Sequence, residues 1–414
     1  MSKYFTLSQL TCALATLSLA SIASASGLDR SGQPSEDFSS SGTIAYASAY
    51  HISPDVTGVG VDGKNISDFA EEYEGYGYGV KTDINDKFSV GVFYDQPFGA
   101  AVRFEGDNIL TSTNTDGSIN STTADVSTDN FTGLLSVNLG AKNNFKVYGG
   151  PVLQKIKADV KLNGDVLSIL NGYSLNIAKN DAYGYMAGLA YVKPEIGLKA
   201  AITYRSEIEH DANYAENMPF INRYNLNPNL PPSLRLDAVQ TEESELTTPK
   251  SVNIDFQTGV NKTTLLTAKA RWVPWSDFKI TPPLLKTNVV SATNTQAGQV
   301  VIDNANLLEY GDDAYQLELG LAKRLSPALA VSGTVGWDSG AGNPVSPLGP
   351  TEGYYSVGVG AKYNFTPEWA VSAGAKYLML GDAEGVLAAS GKKLGTFEDN
   401  DAYIFGMKLS YASK

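Results

Sequence analysis

The sequence predicts an all-β fold, a transmembrane antiparallel β-barrel of about 14 strands. Three observations support this fold class. Apolar residues alternate with polar or small ones in one segment after another, the connections alternate between short and long, and no segment after residue 25 approaches the roughly 18 consecutive apolar residues of a spanning helix. Because only helices and closed barrels satisfy their backbone groups in lipid, a chain that crosses with strands must close into a barrel.

Composition and the N-terminal stretch limit the possible functions. The chain has 31 Lys and Arg against 44 Asp and Glu, a net charge of −13, and no basic stripe, which argues against a nucleic-acid partner. Residues 1–25 read as a signal peptide, with Lys3 before an apolar stretch and an A-x-A cleavage signal at 23–25. The single cysteine, Cys12, falls within this peptide, so the mature chain is predicted to have no disulfide.

The mature chain divides into a short leader and a long repetitive region. Residues 26–42 are polar, contain glycine and do not alternate, which predicts a disordered leader or a hatch inside the barrel lumen. Residues 43–414 are predicted to form the barrel. Strand-like alternation runs through 44–52, 76–80, 88–97, 131–139, 145–160, 183–191, 196–204, 252–260, 266–272, 315–321, 329–337, 355–363, 369–377 and 403–411.

The connections decide between a barrel and a soluble sandwich. Short turns alternate with long polar loops at 53–75, 106–127, 161–173, 211–249, 276–312, 338–352 and 381–400. Outer-membrane barrels have tight periplasmic turns and long outer loops, whereas a sandwich has little reason to keep such parity. Aromatic residues near strand ends predict two interfacial girdles, with sandwich core as the alternative: Tyr76, Tyr191, Tyr204, Trp272, Tyr363, Trp369 and Tyr411.

These features place the expected barrel in the cell outer membrane. Its surroundings would be outer-membrane lipid and lipopolysaccharide, and we expect it to act as a monomer. Tyr411, close to the C-terminus, is the candidate for the terminal aromatic residue that the barrel-insertion machinery recognises.

The third predicted strand, residues 88–100, contains an interruption. Pro97 arrives before the strand has finished, and Gly99 follows it. A proline cannot donate to a ladder, so a paired strand must kink, bulge or leave a neighbouring carbonyl unpaired at this point. In a membrane barrel that gap is a candidate lateral doorway. The alternative is that Pro97 simply ends the strand at a loop.

Catalytic and metal chemistry are not expected. Only His51 and His210 are present, both at predicted strand ends, and no G-x-S-x-G elbow accompanies them. The acidic pairs at 242–243 and 312–313 lack the ordered spacing of a calcium loop. The sequence therefore predicts a protein that is not an enzyme and carries no cofactor.

Charged residues on the predicted inner face and apolar residues in two loops suggest a ligand pocket. The inner-face cations are Lys199, Arg205, Lys269, Arg271, Lys362, Lys376 and Lys408, and polar filling of the barrel would account for most of them. Apolar loop segments at 218–221 and 273–278 indicate a binding surface or a packed lid. Together they make possible an anionic ligand held by one or two cations beneath an apolar pocket.

Several stretches, in order along the chain, resemble the outer-membrane long-chain fatty acid transporter family of the FadL type. They are YDQPFG at 94–99, ITYRSEIEH at 202–210, WSDF at 275–278 and DAY at 313–315. The resemblance implies a 14-stranded barrel blocked by an N-terminal hatch. It also implies uptake of a hydrophobic ligand at an outer groove, transfer to a tighter pocket, and sideways release through a gap beside a kinked third strand.

The residue patterns and the resemblance together give candidate site residues. The predicted ligand-binding residues are Arg205, Lys199, Phe93, Phe98, Trp275, Phe278, Phe220 and Ile221, and the predicted lateral gate is Asp95, Pro97 and Gly99. The expected cargo is a long-chain fatty acid or a similar hydrophobic compound, and the alternative is a general diffusion porin or a surface-binding barrel.

Two departures from the family pattern concern the hatch and the carboxylate clamp. Residues 26–42 are shorter than the usual hatch and contain no Asn-Pro-Ala tripeptide, and Asp312 stands where a basic residue is common. Either the carboxylate clamp is displaced, with Arg205 as the candidate, or the ligand is not a carboxylate.

Overall fold

Fourteen antiparallel strands close into a barrel in the computed structural model, which describes residues 27–30, 38, 40–226, 228, 232, 235–286, 289–290, 301–302, 305–349, 351–388 and 391–413. The main sheet has 17 hydrogen-bonded segments, because three of the strands are interrupted. The last strand pairs with the first from Thr43 opposite Ser413 to Asp55 opposite Asp401, so the barrel has no free edge. The predicted fold class and strand number are confirmed, and a soluble sandwich is excluded.

The strand bounds follow the chain in simple up-and-down order. They are β1 (Thr43–Asp55), β2 (Tyr73–Asp83), β3 (Phe88–Asp95 and Gly99–Arg103), β4 (Thr123–Leu139), β5 (Phe145–Leu162), β6 (Tyr173–Lys193), β7 (Leu198–Arg205 and Ile208–Asn217), β8 (Val239–Thr248 and Ser251–Asn261), β9 (Thr264–Val273), β10 (Ala314–Arg324), β11 (Leu329–Asp338), β12 (Tyr354–Asn364), β13 (Trp369–Leu380) and β14 (Asp401–Ser413).

The connections keep the predicted parity. Turns of two to five residues at one end of the barrel, the short-turn end, alternate with loops of 10 to 40 residues at the other, the long-loop end. The long loops carry the helices Phe220–Tyr224 and Pro283–Lys286, the 3-10 turns Asp165–Leu170 and Trp275–Asp277, and several short strands, while the 3-10 turn Pro194–Ile196 lies at the short-turn end. Among the described residues, no helix is both long and apolar enough to cross a membrane.

The outer surface carries an apolar belt bounded by aromatic residues. At the long-loop end Tyr78 stacks on Tyr94 with ring centroids 4.7 Å apart, and at the short-turn end Phe145 and Tyr191 are 4.8 Å apart. The predicted girdle residues divide between these two ends: Tyr76, Tyr204 and Trp272 at the first, and Tyr191, Tyr363, Trp369 and Tyr411 at the second. This is the arrangement expected at the two membrane interfaces.

The polarity of the wall inverts along the longest strands. In the part of β4 nearer the short-turn end, Phe131 and Leu135 point outward and are exposed. Nearer the long loops, Ala124 and Val126 are buried inside the barrel and Asp125 is exposed. Strands β4, β5 and β6 have 17, 18 and 21 residues, against 10 in β9. These strands therefore extend beyond the lipid belt into water, where an apolar inner face and a polar outer face are favoured.

This inversion explains an error in the predicted loops. Residues 211–249 were predicted as one loop, but β7 continues to Asn217 and β8 begins at Val239. His210, predicted at a strand end, lies within the second segment of β7 and is fully buried. The strands were predicted from apolar residues on their outer faces. That pattern does not detect a strand segment whose outer face is polar.

The described N-terminal residues contact inward-facing side chains of the barrel. Phe38 packs edge-on against Phe93 and Tyr148, with centroids 6.0 and 5.6 Å away, and the Lys81 Nζ donates to the Ser40 carbonyl at 2.7 Å. Asp29 forms an antiparallel bridge with Phe98. The described residues before β1 thus contact the lumen wall at two levels along the barrel axis. The predicted signal peptide, residues 1–25, and most of the predicted hatch lie outside the described residues.

Candidate functional site

The interruption in β3 lies at Gln96, Pro97 and Phe98. Along β4, Asp95 pairs with Asn130 and Gly99 with Ser127, so four steps in β3 oppose three in β4, which is a β-bulge. The Phe98 amide donates to the Thr128 hydroxyl oxygen at 2.9 Å. The strand therefore bends while it stays attached to β4. The alternative that Pro97 simply ends the strand is wrong, because β3 resumes at Gly99.

On its other side, β3 separates from β2. The ladder between them ends at the pair Tyr78 and Tyr94, and a bridge reforms only at Ala70 and Val102, in the same register. Residues 72–77 of the β2 side and 95–100 of β3 form no ladder pair with each other, and we call this gap the β2–β3 opening. A hydrogen bond from the Tyr76 amide to the Gln96 Oε1 crosses it at 2.9 Å.

The N-terminal segment, residues 27–30, occupies the strand edge that β2 leaves. The Arg30 amide donates to the Pro97 carbonyl at 2.7 Å, and the Gly99 amide donates to the Leu28 carbonyl at 2.8 Å. Alternate backbone groups of a strand point to opposite neighbours, so these two bonds lie on the side away from β4. The segment replaces β2 as the partner of β3 over this stretch.

Two further contacts hold the segment. Gly27, with a φ of 59°, lies directly on the Trp275 indole, where an added Cβ would come within 2.5 Å of the ring. The Asp29 carboxylate accepts from the Arg271 Nε at 2.6 Å and Nη2 at 3.0 Å, and both side chains are buried. Burial raises the pKa of Asp29, and the Arg271 guanidinium opposes that shift. A buried ion pair thus docks the segment on β9.

A second buried ion pair joins two strand interruptions. The Arg205 Nη2 donates to the Asp95 carboxylate at 3.1 Å, which connects the end of the first β7 segment to the end of the first β3 segment. Arg205, the candidate carboxylate clamp, therefore already has an anionic partner. Lys199 lies six residues further down β7, roughly 20 Å away along the strand, and is not brought to this cluster.

Above these ion pairs lies a large apolar cluster that contains most of the predicted pocket. Trp275 contacts Phe98, Phe278 and Tyr310, with ring centroids 5.6, 5.2 and 5.2 Å away. Ile221 is buried in the same cluster, and Phe220 packs against it. Burial raises the pKa of the Tyr310 hydroxyl. Phe93 instead belongs to a separate cluster with Phe38.

Two small cavities lie within this apolar region. The inner cavity, of about 10 Å³, includes Leu28, Val126 and Ile177, and the wall cavity, of about 50 Å³, includes Tyr73, Ala101 and Ile52. Ala100 and Leu348 line both. For comparison, an apolar cavity of about 150 Å³ can hold one benzene molecule. Both cavities must therefore widen before they can hold cargo, and the wall cavity adjoins the β2–β3 opening.

Several residues of this site escaped the sequence reasoning. Asp29, Arg30, Gln96 and Leu348 all contribute to it, yet none was singled out. The sequence does offer a signal for the first two, because residues 28–30 are one of two places in the leader where an apolar residue stands beside two charged ones, the other being residues 36–38. Nothing in the sequence indicates which strand these residues contact.

A closed barrel with an apolar belt, unequal ends and chain inside its lumen defines an outer-membrane channel protein. Residues 75–412 match the family model described as outer membrane protein transport protein (OMPP1/FadL/TodX). The chain therefore belongs to this family of outer-membrane transport proteins, and its location is the outer membrane. No curated protein matches the sequence significantly.

Solved structures of the same fold include a FadL homologue and two toluene transporters. A FadL homologue of Pseudomonas aeruginosa has a TM-score of 0.68 at 16% identity, with 92% of each chain covered. The toluene transporter TodX of P. putida has a TM-score of 0.59 at 12% identity, and the toluene transporter TbuX of Ralstonia pickettii 0.54 at 10%, each with 90% of both chains covered. At these identities the likeness establishes the fold alone.

Proposed function

We propose that this protein is a passive outer-membrane channel that takes up long-chain fatty acids or similar hydrophobic molecules and releases them sideways through the β2–β3 opening. The observation that carries this proposal is the identity of the element filling the opening. It is a separate N-terminal segment, not a wall strand, and the space beside it is apolar. Such a plug can leave without breaking the ladder of the barrel.

The energetics of transfer favour lateral release. Exposing an acyl chain to water costs about 0.8 kcal/mol per methylene, so a route from an apolar pocket directly into lipid avoids the largest barrier. The opening begins one residue beyond Tyr94, which belongs to the aromatic girdle at the long-loop end. Cargo would therefore enter the outer leaflet near its interface. No covalent chemistry is required, which is why we propose a channel and not an enzyme.

The same proposal assigns roles to other parts of the chain. Residues 1–25 would be removed as a signal peptide, and residues 26–42 would serve as the hatch of a monomeric barrel. Phe98, Trp275, Phe278, Phe220 and Ile221 would line the apolar route, with Asp95, Pro97 and Gly99 beside the opening. The toluene transporters among the similar structures make small aromatic hydrocarbons the second ligand class to test.

A reversible disulfide tests the proposal in one protein. Asp29 and Phe98 form a bridge flanked by two hydrogen bonds, a geometry that brings the Cα atoms to about 4.5 Å and permits a disulfide. In the predicted cysteine-free mature chain, we expect Asp29→Cys/Phe98→Cys to lose oleate uptake into proteoliposomes when oxidised and to regain it when reduced.

A matched pair on a continuous ladder provides the control. Ala212 and Ser244 are opposite each other on β7 and β8, so Ala212→Cys/Ser244→Cys should show no redox effect on uptake. Equal uptake by the oxidised and reduced forms of the first pair would contradict the side exit. High conductance of small salts through wild-type protein in a planar bilayer would instead support a general diffusion porin.

A further inference from the structure

We propose that Arg30 forms a carboxylate-binding site in the β2–β3 opening, which closes the opening when empty and holds the head group of an anionic cargo as the cargo leaves. This inference rests on the proposed function and names its substrate class: a long apolar chain that ends in a carboxylate. It also moves the predicted clamp from Arg205 to a residue of the N-terminal segment.

The position of the side chain is the first observation. The Arg30 guanidinium carbon lies 3.9 Å from the centroid of the Tyr73 ring, on the β2 side of the opening. On the β3 side, a Cβ added to Gly99 would come within 2.6 Å of the same carbon. The guanidinium therefore spans the space between the two strands. Gly99, predicted as a gate residue from the sequence, leaves the room that this side chain needs.

The hydrogen-bonding state of the side chain is the second observation. The Arg30 Nε and Nη2 atoms are buried and have no hydrogen-bond partner among the residues that the structure describes. These two groups form one edge of the guanidinium, and their N–H bonds run parallel, as bidentate binding of a carboxylate requires. Buried donors without partners are costly, so an anion that satisfies both would be stabilised there.

The neighbouring cations differ from Arg30 because each has an anionic partner. Arg271 pairs with Asp29, Arg205 with Asp95, and Lys376 with Glu318 at 2.6 Å. Arg103, on the upper segment of β3, pairs with Glu71 at 2.7 Å. Arg205 also has two buried donors without a partner among the described residues, Nε and Nη1, but its Nη2, which shares the parallel edge with Nε, binds Asp95. To reach the paired groups of these cations a cargo carboxylate would have to displace a protein carboxylate, whereas at Arg30 it would fill an unused Nε–Nη2 edge.

The surroundings indicate what else the ligand carries. Tyr73 and Ala101 line the apolar wall cavity next to the opening, so a molecule whose head group reaches Arg30 has its tail in an apolar environment. A neutral hydrocarbon gains nothing from the two N–H groups. The site therefore discriminates between a fatty acid and an uncharged molecule of the same length.

The test compares oleate with oleyl alcohol, which has the same chain and no charge. Both are offered to proteoliposomes containing wild-type protein, Arg30→Met or Arg30→Lys. We expect Arg30→Met to lower the ratio of oleate to alcohol uptake by about tenfold or more, because it removes a bidentate charged contact. Arg30→Lys keeps the charge without the fork and should give an intermediate ratio. Alcohol uptake should be maintained or increased, since the opening is less obstructed.

Arg103→Met is the matched control, because it makes the same substitution on an exposed, paired arginine of the adjacent strand segment. Its uptake ratio should equal that of the wild type. Equal changes in both ligands, or no change, in Arg30→Met would overturn the carboxylate site while leaving the channel proposal intact. Failure of wild-type protein to take up either ligand would instead refute the proposed function. If Arg30→Met does not fold, an unchanged ratio in Arg30→Lys overturns the site.

Discussion

In the part of the barrel that the structure describes, two gaps in the wall ladder are at least six residues long on each strand, and only one of them has the features that we propose for a lateral exit. Besides the β2–β3 opening, residues 178–185 of β6 and 206–213 of β7 form no ladder pair with each other, a gap that we call the β6–β7 opening. Its flanking pairs, Met186 with Arg205 and Ile177 with Tyr214, share one register, just as those of the β2–β3 opening do. The two gaps are therefore comparable in size and in backbone geometry.

They differ in what fills them. At the β6–β7 opening the two strands seal their own gap: the Asn180 side chain donates to the Asp211 carbonyl at 2.6 Å, and the Ser206 amide donates to the Tyr185 carbonyl at 3.0 Å. The Ile208 side chain lies against Gly184, where an added Cβ would meet it at 2.6 Å. The β2–β3 opening is instead filled mainly by residues 27–30, which are not part of the barrel wall.

The surroundings differ as well. Behind the β6–β7 opening, the two ring nitrogens of His210 bond Asn180 and Gln154 at 3.0 Å each, and the Thr248 hydroxyl donates to Gln154 at 2.6 Å. Its outer face carries exposed Glu207 and Glu209. The β2–β3 opening instead adjoins an apolar cavity. In the mechanism that we propose, a break in the ladder is thus not sufficient for a lateral exit, which also needs a plug that can leave and apolar surroundings.

The largest expected effect comes from making β3 continuous. Pro97→Val/Gly99→Val supplies an N–H and two strand-forming residues, and the valine at 99 excludes the Arg30 guanidinium from the opening. Oleate uptake should be abolished while binding of oleate at the cell surface is retained. Pro151→Val on β5 is the control, because this proline lies on the outer face of an unbroken strand. Normal uptake by the double variant would show that the opening is not the exit.

A smaller effect is expected from loosening the plug. Asp29→Asn preserves size but removes the charge that pairs with buried Arg271, and breaking a buried ion pair typically costs about 3–5 kcal/mol. The N-terminal segment should leave the opening more often, which raises both uptake and single-channel conductance several-fold. Glu71→Asn, which breaks the exposed pair with Arg103, should change neither. An unaltered conductance in Asp29→Asn would mean that this ion pair does not hold the plug.

The smallest effect on transport is expected at the β6–β7 opening. His210→Ala removes the centre of a buried polar network, and leaving its partners unsatisfied should lower the free energy of unfolding by about 1–3 kcal/mol. Uptake by the folded protein should equal that of the wild type. Thermal unfolding followed by heat-dependent gel mobility measures the first quantity, and the proteoliposome assay measures the second. A rise in uptake would show that this opening also conducts cargo.

Much of the fold could be predicted because lipid imposes a strict rule on the sequence. Phe88, Val90, Val92 and Tyr94 alternate with residues that face the lumen, and the interruption at Pro97 is visible in the sequence because a proline cannot donate to a ladder. The parts of β7 and β8 nearest the long loops were not predicted as strands, because they are surrounded by water and not by lipid. Lys199 and Arg205 were grouped as cations of one inner face, but the register separates them by six positions.

The sequence by itself determined the barrel, its 14 strands, its two unequal ends and the break in β3, since each of these depends on periodicity or on one residue's backbone chemistry. Only the tertiary structure decided what stands in the break. Asp29 and Arg30 lie about 70 residues from Pro97 in the chain, and a hydrogen bond or ion pair across that separation leaves no local pattern to read. Contacts between distant segments depend on closure of the whole barrel, which brings residues 27–30, β3 and β9 to the same place.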